Sequence, residues 1–187
     1  LLDQVLRVFG IVPRYDLQLM QPGQTLSQCA SRAIAALERV LAEARPDMVL
    51  VQGDTTTTFA GALAAFYANV PAGHVEAGLR TGDPRQPFPE EMNRVLTTRL
   101  ASLHLAATAW AAANLEREGV PRGSIAVTGN PGIDALLHVR DALDEGRLPA
   151  PDWPWLDPSK RLILVTAHRR ESFGDGFRQI CAALAEL

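Results

Sequence analysis

The stretch MVLVQGDTTTTFAGALAAFYANVPAGHVEAG, residues 48–78, decides the fold. Met48–Gln52 is an unbroken apolar run, the pattern of a strand covered on both faces in a parallel sheet. Thr55–Asn69 reads as an alanine-rich helix, and Gly61 among its alanines lets that helix lie close on a sheet. Pro71–Val75 reads as the next strand. Strand, helix and strand in this order form a crossover unit, and crossovers of this kind are right-handed and build parallel sheets.

Upstream, Thr25 or Ser27 caps a helix running to about Ala44, with Ile34, Leu37, Val40 and Leu41 at helical spacing, and Pro46-Asp47 ends it. Asp16–Met20 (DLQLM) reads as a short strand, and residues 1–10 as the end of an amphipathic helix. Downstream the alternation continues: a helix over 89–101 with Pro89 early, where its missing N–H costs nothing, a strand over 103–106, a helix over 110–118, a strand over 124–128 and a helix over 130–145. The expected class is α/β, a Rossmann-like parallel sheet with helices on both faces.

Composition shifts after residue 145. Residues 146–160 hold Pro149, Pro151, Pro154 and Pro158 beside Trp153 and Trp155, and read as a linker packed by its tryptophans. Arg161–His168 (RLILVTAH) reads as a new buried strand, followed by a helix from about Gly174. The expected organisation is a Rossmann-like domain over 1–145 whose first strands are missing, a linker over 146–160, and the opening strand-helix unit of a second such domain over 161–187. Both ends fall inside helical patterns, so the reading is of a piece of a longer protein.

The 187 residues are 47% hydrophobic and 21% charged with a net charge of -3, which suits a soluble globular protein. The balance leaves no basic footprint for nucleic acid. Apolar runs stop well short of a membrane span, and no signal-peptide pattern is present. Cys29 and Cys181 lie in apolar helical patterns and read as two reduced core thiols, which fits the cytoplasm. No cysteine spacing suits a metal.

Carboxylates and glycines gather where strands end, which is where open α/β sheets bind ligands. Gly53-Asp54-Thr55 closes a strand and opens a helix, offering backbone access and free N–H groups to an anion; the plainer reading is that Asp54 or Thr55 caps the helix. Glu76 follows the next strand, with Ala77 and Gly78 leaving room beside it; Val75 is expected to point into the core and Glu76 away, and the plainer role is a surface pair with Arg80. His74 reads as a buried, satisfied histidine. Glu90 and Glu91 open a helix, where acids favour the dipole, and only one of them can face a given pocket. Arg94, at helical spacing from both, can pair with either or hold a phosphate. Asn130, after Gly129, is a ligand contact or a helix cap. His168, Arg169 and Arg170 follow the strand of the second domain and suit a diphosphate, unless they form a solvated turn. Together these groups predict a cleft between domains that binds a diphosphate-linked substrate and moves protons.

VQGDTTTT, GHVEAGLRTGD, PFPEEMNR, VTGNPGIDALL and VTAHRRESFG, in this order, resemble the non-hydrolysing UDP-N-acetylglucosamine 2-epimerases along essentially the whole chain. The resemblance implies a GT-B arrangement of two Rossmann-like domains, of which this chain is about half. It implies reversible conversion of UDP-GlcNAc to UDP-ManNAc through 2-acetamidoglucal, without NAD or metal, in a cytoplasmic homodimer that serves polysaccharide synthesis. By motif match Asp54, Glu76 and Glu90 take the family's catalytic carboxylate positions, and His168 that of a diphosphate-contacting histidine. Arg94 takes that of a motif arginine near the substrate, and Gly53, Thr55, Asn130, Arg169 and Arg170, read from the residues themselves, are the further substrate-binding candidates. The Arg-Gln pair of the activator site in some members meets Gln21-Pro22-Gly23-Gln24 here, which has no arginine. The rival readings are a GT-B glycosyltransferase, a hydrolysing epimerase releasing ManNAc and UDP, and a non-catalytic nucleotide-sugar-binding domain.

Overall fold

The computed structural model describes residues 2–150, 152–157, 159–167 and 173–186. They form two compact units, Leu1–Asn130 and Pro131–Leu187. None of the described helices is long and apolar enough to cross a membrane.

In the first unit α1 (Leu2–Val8) precedes α2 (Leu26–Ala44), then β1 (Val49–Gln52), α3 (Thr56–Tyr67), β2 (Ala72–Ala77), α4 (Glu90–Leu100), β3 (Leu103–Ala106), α5 (Ala109–Arg117) and β4 (Ile125–Val127). The four strands are parallel and lie in chain order, with Val51 opposite His74 and His74 opposite His104. Successive right-handed crossovers in one direction put their helices on a common face. Gly61 of α3 sits so close to Val51 that a Cβ there would come within 2.9 Å of its side chain, which is the close approach the sequence suggested. His104 on the same face bonds the carbonyl of Thr98 on α4 through Nε2 (3.1 Å). Leu50, pointing to the other face, is 63% exposed.

Local chemistry sets the helix starts. Thr25 caps α2 in a reciprocal box: its hydroxyl accepts from Gln28 N–H (3.2 Å), and Gln28 Oε1 accepts from Thr25 N–H (2.9 Å). Thr55 caps α3 by accepting from Thr58 N–H (3.3 Å), and Thr108 caps α5 by accepting from Ala111 N–H (3.1 Å). The core is small-residue packing: Ala60, Ala62 and Ala65 on α3, and Ala77, Ala106, Ala111 and Leu115 at the α5 side, are buried.

Several expectations are corrected. Residues 16–20 form no strand, because Asp16 Oδ1 accepts from Gln18 N–H (3.1 Å) and Gln18 takes a left-handed φ of 46°, which breaks the extended chain. Val75 and Glu76 are both half-buried, and the large side chain that β2 buries deeply is His74. Cys29 is half-buried and Cys181 exposed, both free, so neither is a core thiol.

In the second unit α6 (Pro131–Asp144) and α7 (Asp175–Ala185) are helical as expected. The compact units divide before α6, at Asn130, whereas the sequence placed the change after it. Trp153 and Trp155 are 51% and 76% exposed and do not pack the linker. Residues 161–167 form no strand, and Leu164 is 88% exposed. A strand needs neighbours for its N–H and C=O groups, and no other strand in this unit is present among the described residues.

Candidate functional site

The carboxyl ends of β1, β2 and β4 lie along one edge of the sheet, so Gly53-Asp54, Glu76 and Asn130 leave the fold side by side. Gly53, with φ 75°, is pinned from both directions by β2: its N–H donates to Val75 O (3.0 Å), and its carbonyl accepts from His74 Nε2 (2.8 Å). His74 is completely buried, and burial pushes its imidazole below the usual histidine range, against the raising effect of the Gly53 bond. It is therefore neutral near pH 7, with Nε2–H as the donor, because a carbonyl can only accept.

Glu76 has φ 66°, the left-handed region that glutamate seldom enters, and stands where the β2–β3 register shifts between Val75 and Ala77. The bulge takes it out of the ladder. Its Oε1 accepts from Asn130 Nδ2 (3.2 Å), and its Oε2 lies 3.6 Å from where a Cβ on Gly53 would stand. Arg80 does not pair with it. Arg80 instead grips Glu118 with two bonds (2.6 and 2.8 Å) and holds the Glu118 carboxyl below the usual range.

Asp54 is not the cap of α3; Thr55 is. The Asp54 carboxylate pairs with Arg94 Nη2, and its backbone carbonyl accepts from Asn93 Nδ2 (2.9 Å). Glu90, half-buried at the start of α4, stands one turn before Asn93 and Arg94, so it shares the helix face that meets Asp54. Glu91 turns inward and is 2% exposed. It accepts from Thr81 and Gly82 N–H (3.0 Å each) and pairs with Arg94 Nη1 (3.3 Å). Glu91 also borders a cleft of about 310 Å³, lined by Arg80, Met92, Asn114 and Arg117, away from the Asp54–Glu76 edge.

Of the residues singled out in the sequence, Gly53, Asp54, Thr55, Glu76, Arg94 and Asn130 are thus gathered around one sheet edge, and Glu90 lies one helical turn from Arg94. His168, Arg169 and Arg170 lie outside the described residues. Two connections escaped the sequence. Asn93 carried no signal beyond its place in PFPEEMNR, and Glu91 was not distinguishable from Glu90 until the helix was rotated against Thr81 and Gly82. Chemically the edge offers carboxylates of two kinds: Glu76 held by a neutral amide, and Asp54 held by a guanidinium.

The family model described as UDP-N-acetylglucosamine 2-epimerase matches residues 1–187. The UDP-N-acetylglucosamine 2-epimerase of Escherichia coli (strain K12) is 56% identical over 191 residues, covering 100% of this chain and 51% of that protein. The enzyme of the same name from Salmonella typhimurium is likewise 56% identical over 191 residues, with the same coverage of 100% and 51%. The chain therefore spans about half the length of the curated relatives it matches. The crystal structure of UDP-GlcNAc 2-epimerase from Neisseria meningitidis bound to UDP-GlcNAc superposes with a TM-score of 0.88 at 42% identity, covering 99% of this chain and 51% of that one.

Proposed function

The chain belongs to the UDP-N-acetylglucosamine 2-epimerase family, and we propose that the full-length protein carrying it interconverts UDP-GlcNAc and UDP-ManNAc without releasing free sugar. A carboxylate takes the proton from C2 of the sugar. The C2–H electron pair becomes the C1=C2 bond of 2-acetamidoglucal, and the C1–O bond breaks with its electrons leaving on UDP. In the return step the UDP oxygen re-adds at C1 while a proton reaches C2 from the opposite face.

The observation that carries this reading is the pairing of differently held carboxylates at adjacent strand exits, Asp54 on Arg94 and Glu76 on Asn130. Chemistry on two faces of one carbon needs two positioned proton carriers. Asp54, Glu76 and Glu90 supply them in this proposal. Arg94, Gly53, Thr55 and Asn130 contact the substrate, and His168, Arg169 and Arg170 hold the diphosphate as its charge grows. The reaction uses no NAD and no metal. The 1–145 and 161–187 segments belong to two Rossmann-like domains of a cytoplasmic homodimer, joined by the 146–160 linker.

Proton NMR of UDP-GlcNAc in D2O with the full-length protein tests this. Deuterium at C2 together with UDP-ManNAc signals is the expected result. Free ManNAc plus UDP would instead make it a hydrolysing epimerase. With no C2 exchange and no new sugar, while UDP still binds, the epimerase reading falls.

A further inference from the structure

Of the two adjacent acids that open α4, only Glu90 has a role in the proposed reaction. Glu91 points the other way, and its environment is unusual for a carboxylate that does no chemistry. It is 2% exposed, and one oxygen, Oε1, accepts both of two successive backbone N–H groups, Thr81 and Gly82, at 3.0 Å. The other oxygen, Oε2, has no hydrogen bond; it faces Arg94 Nη1 at 3.3 Å. Arg94 spends its second nitrogen, Nη2, on Asp54, and its Nε is buried with no partner. Burying a carboxylate and a guanidinium this way is costly unless each holds the other. The pair is therefore bound to one geometry.

We propose that Glu91 is a positioning residue for the C2 chemistry: by fixing the Arg94 guanidinium between itself and Asp54, it sets where the Asp54 carboxylate stands and ties that position to the Thr81–Gly82 segment. This rests on the epimerase reading. The segment it ties down, residues 81–89, leads directly into Glu90, so a shift of that segment reaches both Asp54, through Glu91 and Arg94, and Glu90, through the chain. Glutamine at 91 can still accept from both N–H groups but brings no charge to Arg94. Arg94 then gives its whole charge to Asp54 and is free to turn toward it.

The test is a double-mutant cycle in the full-length protein, measuring kcat and KM for UDP-GlcNAc in the wild type, Glu91→Gln, Asp54→Asn and the double variant. The expected result is a fall in kcat of about 10- to 100-fold for Glu91→Gln, with KM changed less than about threefold. In the Asp54→Asn background the same substitution should cost little more, because its effect runs through Asp54. A residue that merely held the fold together would lower both backgrounds alike, and that outcome overturns the proposal, as does a wild-type kcat for Glu91→Gln. If Glu91→Gln does not fold, Glu91→Asp replaces it: the charge stays but the reach shortens, and a wild-type kcat or a loss undiminished by Asp54→Asn overturns the proposal. A wild type that does not exchange C2 hydrogen defeats the epimerase reading itself, which is a different failure.

Discussion

Glu76 Oε2 lies 3.6 Å from the point where a Cβ on Gly53 would stand, so the first strand exit is shaped around the carboxylate of the second. Both residues have left-handed backbones, φ 75° at Gly53 and 66° at Glu76. Glycine takes that conformation freely, and glutamate does not.

Gly53→Ala therefore sets strain and function against each other. The left-handed backbone costs about 1–2 kcal/mol with a Cβ present. The methyl would only touch Glu76, so the protein should fold. The turn that carries Asp54 would shift, and activity should fall further than stability. Urea denaturation beside C2 deuterium exchange measures the two separately; equal losses would remove the turn from the site.

Gly78→Ala should be far worse for folding. A Cβ there would stand 2.2 Å from the backbone oxygen of Ala111, and φ is 87°. Backbone of α5 cannot yield as a side chain can, and Asn114 Nδ2 already holds Gly78 O at 2.8 Å. A loss of about 3 kcal/mol or more is expected. Gly119 has a similar φ of 84° but open space, so Gly119→Ala should cost about 1 kcal/mol. Chemical denaturation of both variants checks the contrast, and equal costs would refute the close approach.

His74 makes stability depend on pH. Burial lowers its folded-state pKa below the ordinary 6.5, so the unfolded chain takes up the proton first as the pH falls. The stabilisation is fully present above about pH 6.5 and is lost as pH drops below it, by at most about 1.4 kcal/mol per pH unit. His74→Gln keeps an N–H donor for Gly53 O and cannot titrate. Its unfolding free energy should therefore change less than that of the wild type as the pH falls below 6.5. Parallel slopes would show that another group carries the dependence.

Arg80 acts as a clamp between α5 and the segment after β2. It makes two bonds to Glu118 and one each to Leu79 O (2.8 Å) and Thr98 Oγ1 (2.9 Å). Lysine cannot reproduce a planar fork, so Arg80→Lys should cost about 1–2 kcal/mol despite keeping the charge. Because Arg80 lowers the Glu118 carboxyl, this stabilisation is present above the ordinary value of 4.5 and disappears as the pH falls beneath it. Thermal melts should therefore show a larger gap between variant and wild type at neutral pH than in acid below 4.5, where the bonds to Leu79 and Thr98 remain; a constant gap would count against the ion pair.

The sequence by itself determined the parallel sheet, most helix boundaries and the gathering of charged groups at strand exits. Those properties are local: an apolar run of four or five residues, a threonine before a helix, a glycine where a strand ends. It misjudged residues 16–20, where the Asp16 turn and a left-handed Gln18 break the extended chain, and residues 161–167, which have no strand partner among the described residues. Tertiary structure alone decided which acid faces which base. Asp54 meets Arg94 across 40 residues, Glu76 meets Asn130 across 54, and Arg80 chooses Glu118 across 38 rather than the nearby Glu76. Adjacent Glu90 and Glu91 are chemically identical in sequence and part company only because neighbouring helical residues point about 100° apart and packing fixes the rotation of α4. The bulge at Glu76, which turns a strand residue toward Gly53, is likewise set by the β2–β3 register and not by the side chain it redirects.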